Sequence, residues 1–511
     1  MRVLLIGANP ECDYNTATIY IHSYLQNDEK IRDHCKIENL TYRMKSYFDE
    51  IVSCMAHMGN PNLNLFINKM CKDILDSGAD VCGWSCYIWN VDLFMRVIGA
   101  LKKLKPSIKH IVGGPEFFSH ELERVLRRNP SVDIIVKGEG EITMKEILYH
   151  YLDQSIKLED ILGIAYLDKT QQYHDTANRP ALRDMSAIPS PFSNGIWKSR
   201  IRSVMVETYR GCPYDCYFCL YGKMMGQNIR YFPIQQVKDD ILWFLENDVV
   251  MVFFLDAVFN IEPQRTHEIL QLIIDNYNGI TTFEFQIKLE TLDKKSADLM
   301  GQLYRLGGIK RIEIGIQAYQ PEARKNVNRH FDEETFRRNF ALLSNQVKSD
   351  IQIDFIWGMP GDNYESFKKG LDFGYSLEGG RGVWLATFAC HVVPGAGLEH
   401  SPAELEVVWD DCAGHQTLST KSYSLEEILK TERFVRHMNE IQRSKFFNWD
   451  LEEGTQFTDL VEEYMEWADQ QDPFKERDKL CMNFFARRYL GKLLGRSPKK
   501  STPALTGVAS S

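Results

Sequence analysis

Over the first 170 or so residues, short apolar runs alternate with stretches of helical periodicity, the pattern of a parallel sheet covered by helices on both faces. The runs predict strands at Arg2–Ile6, Asp80–Ser85, His110–Gly113 and Asp133–Val136. The periodic stretches predict helices at about Asn62–Leu75, Val91–Leu104 and Glu121–Arg128. Small and polar residues gather where those strands end: Gly7, Ala8, Asn9, then Gly83 and Ser85, then Gly113 and Gly114. Open α/β sheets bind ligands beyond the carboxyl ends of their strands, and glycine there lets backbone approach a ligand, although it serves an ordinary turn equally well. From His174 to Trp197 the chain is broken by Pro180, Pro189 and Pro191 and reads as a crossing between two bodies. Strand and helix then recur six times, with strands near Ser203–Glu207, Val249–Leu255, Thr282–Ile287, Arg311–Ile316, Gln352–Trp357 and Val383–Cys390. That count fits an incomplete parallel barrel.

After about Ser401 helical periodicity at Leu425–Arg443 and Phe457–Ala468, with a basic, aromatic piece around Phe484–Leu494, predicts a small helical cap over the barrel mouth that shapes a substrate pocket. Its charged positions Glu462, Glu463 and Glu466 read as solvated surface. The tail, poor in large apolar residues, is expected to be disordered.

Composition narrows the class. A chain of 511 residues that is 44% hydrophobic fills more than one core. A net charge of -10 lacks the basic footprint of a nucleic-acid binder. No apolar stretch reaches the roughly 18 residues that cross a membrane, and the start of the chain reads as a strand rather than a secretory signal. Twelve cysteines over this length are not a disulfide framework, so a reducing cytoplasm is expected.

Three of those cysteines carry chemistry. Cys212, Cys216 and Cys219 stand in Arg210-Gly-Cys-Pro-Tyr-Asp-Cys-Tyr-Phe-Cys219. A four-iron cluster normally takes four thiolates, so three clustered ligands propose a cluster with one iron open to a substrate or cofactor. A structural zinc knuckle or incidental core cysteines are the other readings. Zinc would need a fourth ligand, and no His or Cys follows for many residues.

The spacing, Phe218 and the preceding Arg-Gly resemble the radical S-adenosylmethionine superfamily, in which the open iron chelates S-adenosylmethionine. The resemblance extends along the barrel. Phe254-Leu-Asp-Ala-Val-Phe-Asn260 stands where that superfamily's backbone holds the methionyl amino group, which implies Leu255, Asp256 and Ala257 for that contact; Asp256 would serve equally as a strand-ending cap. Glu284, Gln286, Lys288 and Glu290 alternate and so share one face. They could face the ribose and methionyl carboxylate, or form an exposed strand face. Glu313-Ile-Gly-Ile-Gln317 and Asp354-Phe-Ile-Trp-Gly-Met-Pro-Gly361 resemble later motifs, with Gly315 and Gly358 admitting the adenosine and Gln317 and Asp354 facing the interior. Val393-Pro-Gly-Ala396 resembles the last motif, with Ala396 where threonine is common.

The first body resembles the cobalamin-binding Rossmann domain of cobalamin-dependent radical S-adenosylmethionine enzymes through Gly83-Trp-Ser-Cys-Tyr-Ile-Trp-Asn90, Val112-Gly-Gly-Pro-Glu116 and Lys137-Gly-Glu-Gly-Glu141. The resemblance implies Ser85, Gly113 and Gly114 along the corrinoid's nucleotide tail, with Trp84, Tyr87 and Trp89 as candidates to cover the corrin or simply to pack. Glu116 and Glu139 read as loop caps. Many cobalamin proteins carry Asp-x-His-x-x-Gly after the first strand, but the loop Gly7–Thr16 has no histidine. Cobalamin is therefore expected with its base displaced and no histidine below cobalt, where Asn9, Glu11 or Tyr14 could approach.

The implied organisation is α/β: a Rossmann-like cobalamin-binding domain over 1–172, a linker over 173–198, a partial (β/α)6 radical barrel over 199–400, a helical cap over 401–495 and a tail over 496–511. The implied cofactors are a [4Fe-4S] cluster, S-adenosylmethionine and cobalamin. The implied activity is methyl transfer from methylcobalamin to an unactivated carbon of a small molecule or peptide, by way of a 5'-deoxyadenosyl radical. Ring contraction or oxidative cyclisation without methyl transfer is the alternative, and a non-catalytic carrier or sensor a third. An electron donor such as flavodoxin or ferredoxin is the expected partner, with neither nucleic acid nor membrane.

Overall fold

The computed structural model describes residues 1–9, 14–43, 62–118, 121–196, 201–377, 383–410, 414–444, 456–471 and 480–486. Glu11, Cys12, Cys54, the end of the basic, aromatic piece and the tail lie outside the described residues.

The first sheet contains β1 (Arg2–Asn9), β2 (Lys36–Arg43), β3 (Val81–Ser85), β4 (Lys109–Gly113), β5 (Ile134–Val136), β6 (Ile164–Leu167) and β7 (Tyr173–Asp175). Their order is β2-β1-β3-β4-β5-β6-β7, with β1 to β5 parallel and β6 and β7 antiparallel additions. Strand β1 is apolar at nearly every position because both its faces are covered. Leu4, Ile6 and Ala8 join a core with helices α3 (Asn62–Ser77), α4 (Val91–Leu104) and α5 (Leu122–Arg128). Val3 and Leu5 join another with α1 (Thr16–Gln26), α2 (Glu29–His34) and α6 (Glu141–Asp153). Strand order reverses between β1 and β3, where such sheets leave a crevice for ligand.

Strand β2 escaped sequence reading because it is an edge strand that buries only Ile37 and Tyr42. The predicted linker also begins too early, since Tyr173–Asp175 pairs with β6 as the last strand of the sheet.

The second sheet is the open barrel: β8 (Ser203–Val206), β11 (Met251–Phe254), β12 (Thr282–Ile287), β13 (Ile309–Gln317), β14 (Ile351–Trp357) and β15 (Val383–Ala389), all parallel in that order. A ribbon of β9 (Tyr209–Arg210) and β10 (Arg230–Tyr231) flanks the cysteine loop, which runs into α7 (Tyr221–Met225). The outer helices are α8 (Ile234–Glu246), α9 (Pro263–Asp275), α10 (Lys294–Arg305), α11 (Pro321–Asn326), α12 (Glu333–Ser344) and α13 (Tyr364–Ser376). All six expected strands are present within a few residues.

The helices after the barrel behave differently from the expectation. After a hairpin of β16 (Val408–Trp409) and β17 (Thr417–Ser419), α14 (Leu425–Arg443) stands against edge strand β15 and reaches Gly358 at the end of β14 through Ile428, while α15 (Phe457–Asp469) packs on α13 and α14 rather than over the mouth. The Gln442 side chain accepts from the Leu385 amide and donates to the Leu385 carbonyl, both at 2.9 Å, satisfying an edge that a partial barrel leaves open. Glu462 is not merely solvated: it accepts from the Tyr364 hydroxyl at 2.7 Å and from Lys368 at 2.8 Å, tying α15 to α13.

Candidate functional site

A cavity of about 340 Å³ opens where the two sheets meet. Its deep end, at the β1/β3 switch point, is walled by Leu5, Gly83, Ile111, Val136 and Met144, and its outer end by Glu207, Arg210, Tyr221, Met224 and Leu255 of the barrel. Ser85, Gly113 and Gly114 line it as well. The glycines matter for shape. A Cβ on Gly83 would stand 3.0 Å from Leu5 Cδ2, and Gly114, at φ +117°, would place one 2.3 Å from the Cys86 carbonyl oxygen. Larger residues would both fill the slot and strain the turn.

Two of the aromatic candidates divide. Tyr87 lines the cavity and stacks on Trp89 with ring centres 4.5 Å apart. The Trp84 indole instead belongs to the core: it packs edge-on against Phe94 and donates to His110 Nδ1 at 3.3 Å, so it reaches the cavity wall without offering a ring to a ligand. Trp89 is 39% exposed and anchored to the Ala8 carbonyl at 3.0 Å.

Asn9 is buried, donates to the Tyr14 carbonyl and accepts from Asn15 at 3.1 Å. Tyr14 turns away from the cavity to β8. Its hydroxyl donates to the Met205 carbonyl at 2.9 Å and accepts from the Met205 amide at 2.7 Å. Asn9 is thus committed to Tyr14 and Asn15 of its own body and Tyr14 to the joint between the sheets, which corrects their assignment to the face below cobalt.

The joint has a charged half. Arg210, the residue just before the Gly-Cys of the cysteine loop, meets Glu139 at 3.1 Å, Glu141 at 2.8 Å and Glu207 at 2.9 Å, and Arg230 meets Glu139 at 2.9 Å. All five side chains are at most 10% exposed. Burial holds the Glu207 carboxyl above its ordinary range against the pull of Arg210. Glu139 is thus no simple loop cap, but the point where two arginines of the barrel grip the first body. Glu116 does the same elsewhere, accepting from His415 of the β16–β17 loop at 2.9 Å.

On the barrel side Cys212 and Cys216 are half-buried and Cys219 is accessible. Loss of hydration raises the half-buried Cys212 thiol, and the neighbouring Cys216 adds to the effect. Among the described residues, no three His, Cys, Asp or Glu side chains converge as ligands of one metal ion. Leu255 and Ala257 are half-buried just past β11. Between them Asp256 is buried, accepts from the Thr208 amide at 2.7 Å and hydroxyl at 2.6 Å, and is pushed by burial up to about 7. Its side chain is the strand-ending cap.

Gln286 donates to Glu313 at 3.0 Å. Lys288 is buried with its ammonium 3.9 Å from the centre of the Tyr214 ring in the cysteine loop, and burial lowers its pKa. Gln317 ends β13 in the left-handed region at φ 69°, folding its amide over Gly315, where a Cβ would come within 2.3 Å of it. The room at Gly315 is therefore taken by Gln317, and that at Gly358 by Ile428, 3.0 Å from a built Cβ. Glu284 pairs with Arg311 at 3.1 Å, away from the loop. Asp354 accepts from Gln352 at 2.7 Å, and burial pushes it up to about 7.

Sequence reasoning missed Arg329. It donates to the Gly315 carbonyl, places a second nitrogen 3.9 Å from Cys216 Sγ, and leaves its buried Nε without a partner. Asn328-Arg-His330 follows a short helix and carries no local signal of this placement.

Comparison with known proteins identifies the two bodies. Residues 206–374 match the model of the Radical SAM superfamily and residues 57–148 that of the B12 binding domain. The chain belongs to the cobalamin-dependent radical S-adenosylmethionine family. Over 350 residues it is 27% identical to the 2-(S-pantetheinyl)-carbapenam-3-carboxylate methyltransferase of Streptantibioticus cattleyicolor, a match covering 65% of this chain and 49% of that one. The cobalamin-dependent radical SAM methyltransferase TokK of Streptomyces tokunonensis is 26% identical over 66% of this chain and 50% of its own. The chain thus spans about half the length of the curated relatives it matches. The solved structure of the cobalamin-dependent S-adenosylmethionine radical enzyme OxsB, with aqua-cobalamin and S-adenosylmethionine bound, superposes with a TM-score of 0.64 at 16% identity, covering 96% of this chain and 75% of that one.

The family's cofactors, a [4Fe-4S] cluster, S-adenosylmethionine and cobalamin, are those of this chain. The cavity's glycine-walled deep end, lined by Leu5, Ile111, Val136 and Met144, has the apolar, side-chain-poor walls that a flat group such as a nucleotide base needs. No helix among the described residues is long and apolar enough to cross a membrane.

Proposed function

We propose that this protein transfers a methyl group to an unactivated carbon of a small molecule or peptide. The observation that carries the reading is a cavity walled by both bodies, from Gly83 and Ser85 to Leu255 and Tyr221, which would turn a corrinoid seated in the first body toward the barrel. When bound, S-adenosylmethionine on the cluster supplies a hydrogen-abstracting radical and cobalamin a methyl group.

The chain's own residues would then hold and shield. Cys212, Cys216 and Cys219 would each take one iron, leaving the fourth open. The backbone at Leu255, Asp256 and Ala257 would receive the methionyl amino group, with the Asp256 side chain fixing that turn through Thr208. Lys288 and Arg329, both beside the cysteine loop, offer positive charge to the methionyl carboxylate. Gln286, held by Glu313, and Gln317 would face the ribose. Ser85, Gly113, Gly114 and Tyr87 would line the nucleotide tail. An external donor such as flavodoxin or ferredoxin would supply electrons.

Anaerobic reconstitution with iron, sulfide and cobalamin, followed by S-adenosylmethionine, dithionite and candidate substrates, tests the reading. Joint release of 5'-deoxyadenosine and S-adenosylhomocysteine, with a product heavier by one methylene unit, supports it. Deoxyadenosine with a product that has lost hydrogens and gained no carbon replaces it with oxidative cyclisation. Release of neither product overturns both.

A further inference from the structure

A further contact between the bodies follows directly on the paired glycines. Gly114 and Pro115 line the cavity of about 340 Å³, and Phe118 lines an adjoining space of about 230 Å³ that shares Gly138, Glu139, Glu141 and Met224 with it. The stretch Gly114–Phe118 therefore walls both spaces. Two pieces of the chain beyond the barrel strands grip it. Gly395, at φ +82°, runs so close to the Phe118 carbonyl oxygen that a Cβ there would stand 2.2 Å from it. His415, in the β16–β17 loop, meets Glu116 at 2.9 Å, with both side chains 10% exposed.

The second grip is held with little to spare. Glu116 Oε2 is buried without a partner, a cost that water would relieve if the contact opened. His415 itself is kept in the left-handed region at φ 48°. Against those costs stands the hydrogen bond from His415, which is strong while the imidazole is charged and roughly half as strong when it is neutral. Among the described residues, the acids facing His415 are Glu116 across the joint, Asp410 on its own hairpin and Glu399 in the loop after β15. The other titratable neighbours are Cys86 beside Glu116, His391, which meets the Gly414 carbonyl, and His400, 3.7 Å from Glu399. The hydrogen bond to Glu116 holds the His415 imidazole above its ordinary 6.5, so the pair is charged at neutral pH and loses its charge as pH rises beyond that raised value.

We propose that His415 and Glu116 form a clasp on the corrinoid, which retains the cofactor between the two bodies while His415 carries its proton and opens more often once that proton is lost. The proposal rests on the assignment of this cavity to cobalamin, and it is independent of the reaction that follows. A clasp sets how often the cavity opens and leaves the contacts of the bound cofactor alone, so entry and release change together and the dissociation constant changes little.

The test reads exchange rates rather than turnover. Full-length protein is loaded in the dark with labelled methylcobalamin, whose upper ligand does not titrate, and chased with unlabelled cofactor from about pH 6 to about pH 9. The release rate is expected to rise about three- to tenfold across a single step above the ordinary histidine value, with the association rate rising in parallel. His415→Gln keeps a donor for Glu116 without the charge, and it should release at the fast, alkaline rate at every pH. Glu116→Gln should do the same, and melting temperatures show that both variants are folded. Wild-type release that does not change with pH, or a His415→Gln protein that keeps the wild-type pH step, overturns the proposal while leaving the cofactor reading intact. A wild-type protein that binds no corrinoid overturns both.

Discussion

Tyr14 and Met205, 191 residues apart, exchange hydrogen bonds through a single hydroxyl: the phenol donates to the Met205 carbonyl at 2.9 Å and accepts from its amide at 2.7 Å. The loop after the first strand of one sheet is thereby fixed to the first strand of the other. Ser23 continues the seam, donating to the Pro189 carbonyl at 2.7 Å. Arg210 with Glu139 and Glu141 completes it. A cavity shared by two bodies keeps its shape only if the bodies keep their distance, and this seam holds that distance.

Tyr14→Phe retains the ring packed against Phe192 but leaves both polar groups of Met205 without their partner. The expected cost is about 1–3 kcal/mol, read as a lower midpoint in chemical denaturation. An unchanged midpoint would show that the seam carries no stability.

Replacing Cys212, Cys216 or Cys219 by Ala is expected to abolish cleavage of S-adenosylmethionine and lower bound iron while cobalamin binding persists, because the deep end of the cavity is built from the first sheet. Cys35, Cys71 and Cys481 are buried in cores, and their replacement by Ala should cost some stability and no iron. Iron analysis after anaerobic reconstitution separates the two groups, and a Cys216→Ala protein with full iron content would refute the ligand assignment.

Asp240 on α8 is buried, receives a hydrogen bond from Ser190 of the connector, and is pushed by burial up to about 7 from an ordinary 3.8. Between those values the folded chain keeps a proton that the unfolded chain has released, so this group favours folding at the acid end and loses that contribution as pH rises to about 7. Asp240→Asn keeps an acceptor for Ser190 and removes the charge. The variant should melt above the parent at about pH 8, with the gap narrowing towards about pH 5. Thermal denaturation across that range checks the sign.

Paramagnetic resonance of the cobalt(II) form should show no superhyperfine splitting from an axial nitrogen. No histidine stands in Gly7–Thr16, and His22 on α1 meets Gln26 at 3.1 Å and Asn39 at 2.7 Å through its two ring nitrogens. His34 meets the Lys30 carbonyl through Nδ1 at 2.9 Å. Nitrogen splitting would place either a histidine or the cofactor's own base below cobalt and overturn the expectation.

Local pattern was enough for the parts of this protein whose cause is local. Alternating apolar runs located the five parallel strands of the first sheet except β2, whose edge position removes the apolar signal, and all six strands of the barrel. Spacing proposes the three cysteines because a loop that binds a cluster needs its thiols close together in sequence, and Ser85, Gly113 and Gly114 stand on the cavity wall because crevices of such sheets follow strand ends. Period two along one strand is equally local, and it put Glu284 and Gln286 on one face without telling which of them a neighbour would claim.

Tertiary structure decided the rest, because the partner in each case lies far away in sequence and leaves no periodic trace. Trp84 looked like a ring for a ligand until Phe94 and His110 enclosed it; Gly358 looked like open space until Ile428, from a helix beyond the barrel, took it. Glu139 became a bridge because Arg210 and Arg230 meet it across the joint, and Glu462 a tie because α15 packs on α13 rather than over the mouth. Chain spacing dictates which residues share a loop or a strand face, whereas which faces meet follows from how two sheets bury their apolar surfaces against a common set of helices, a balance summed over the whole molecule.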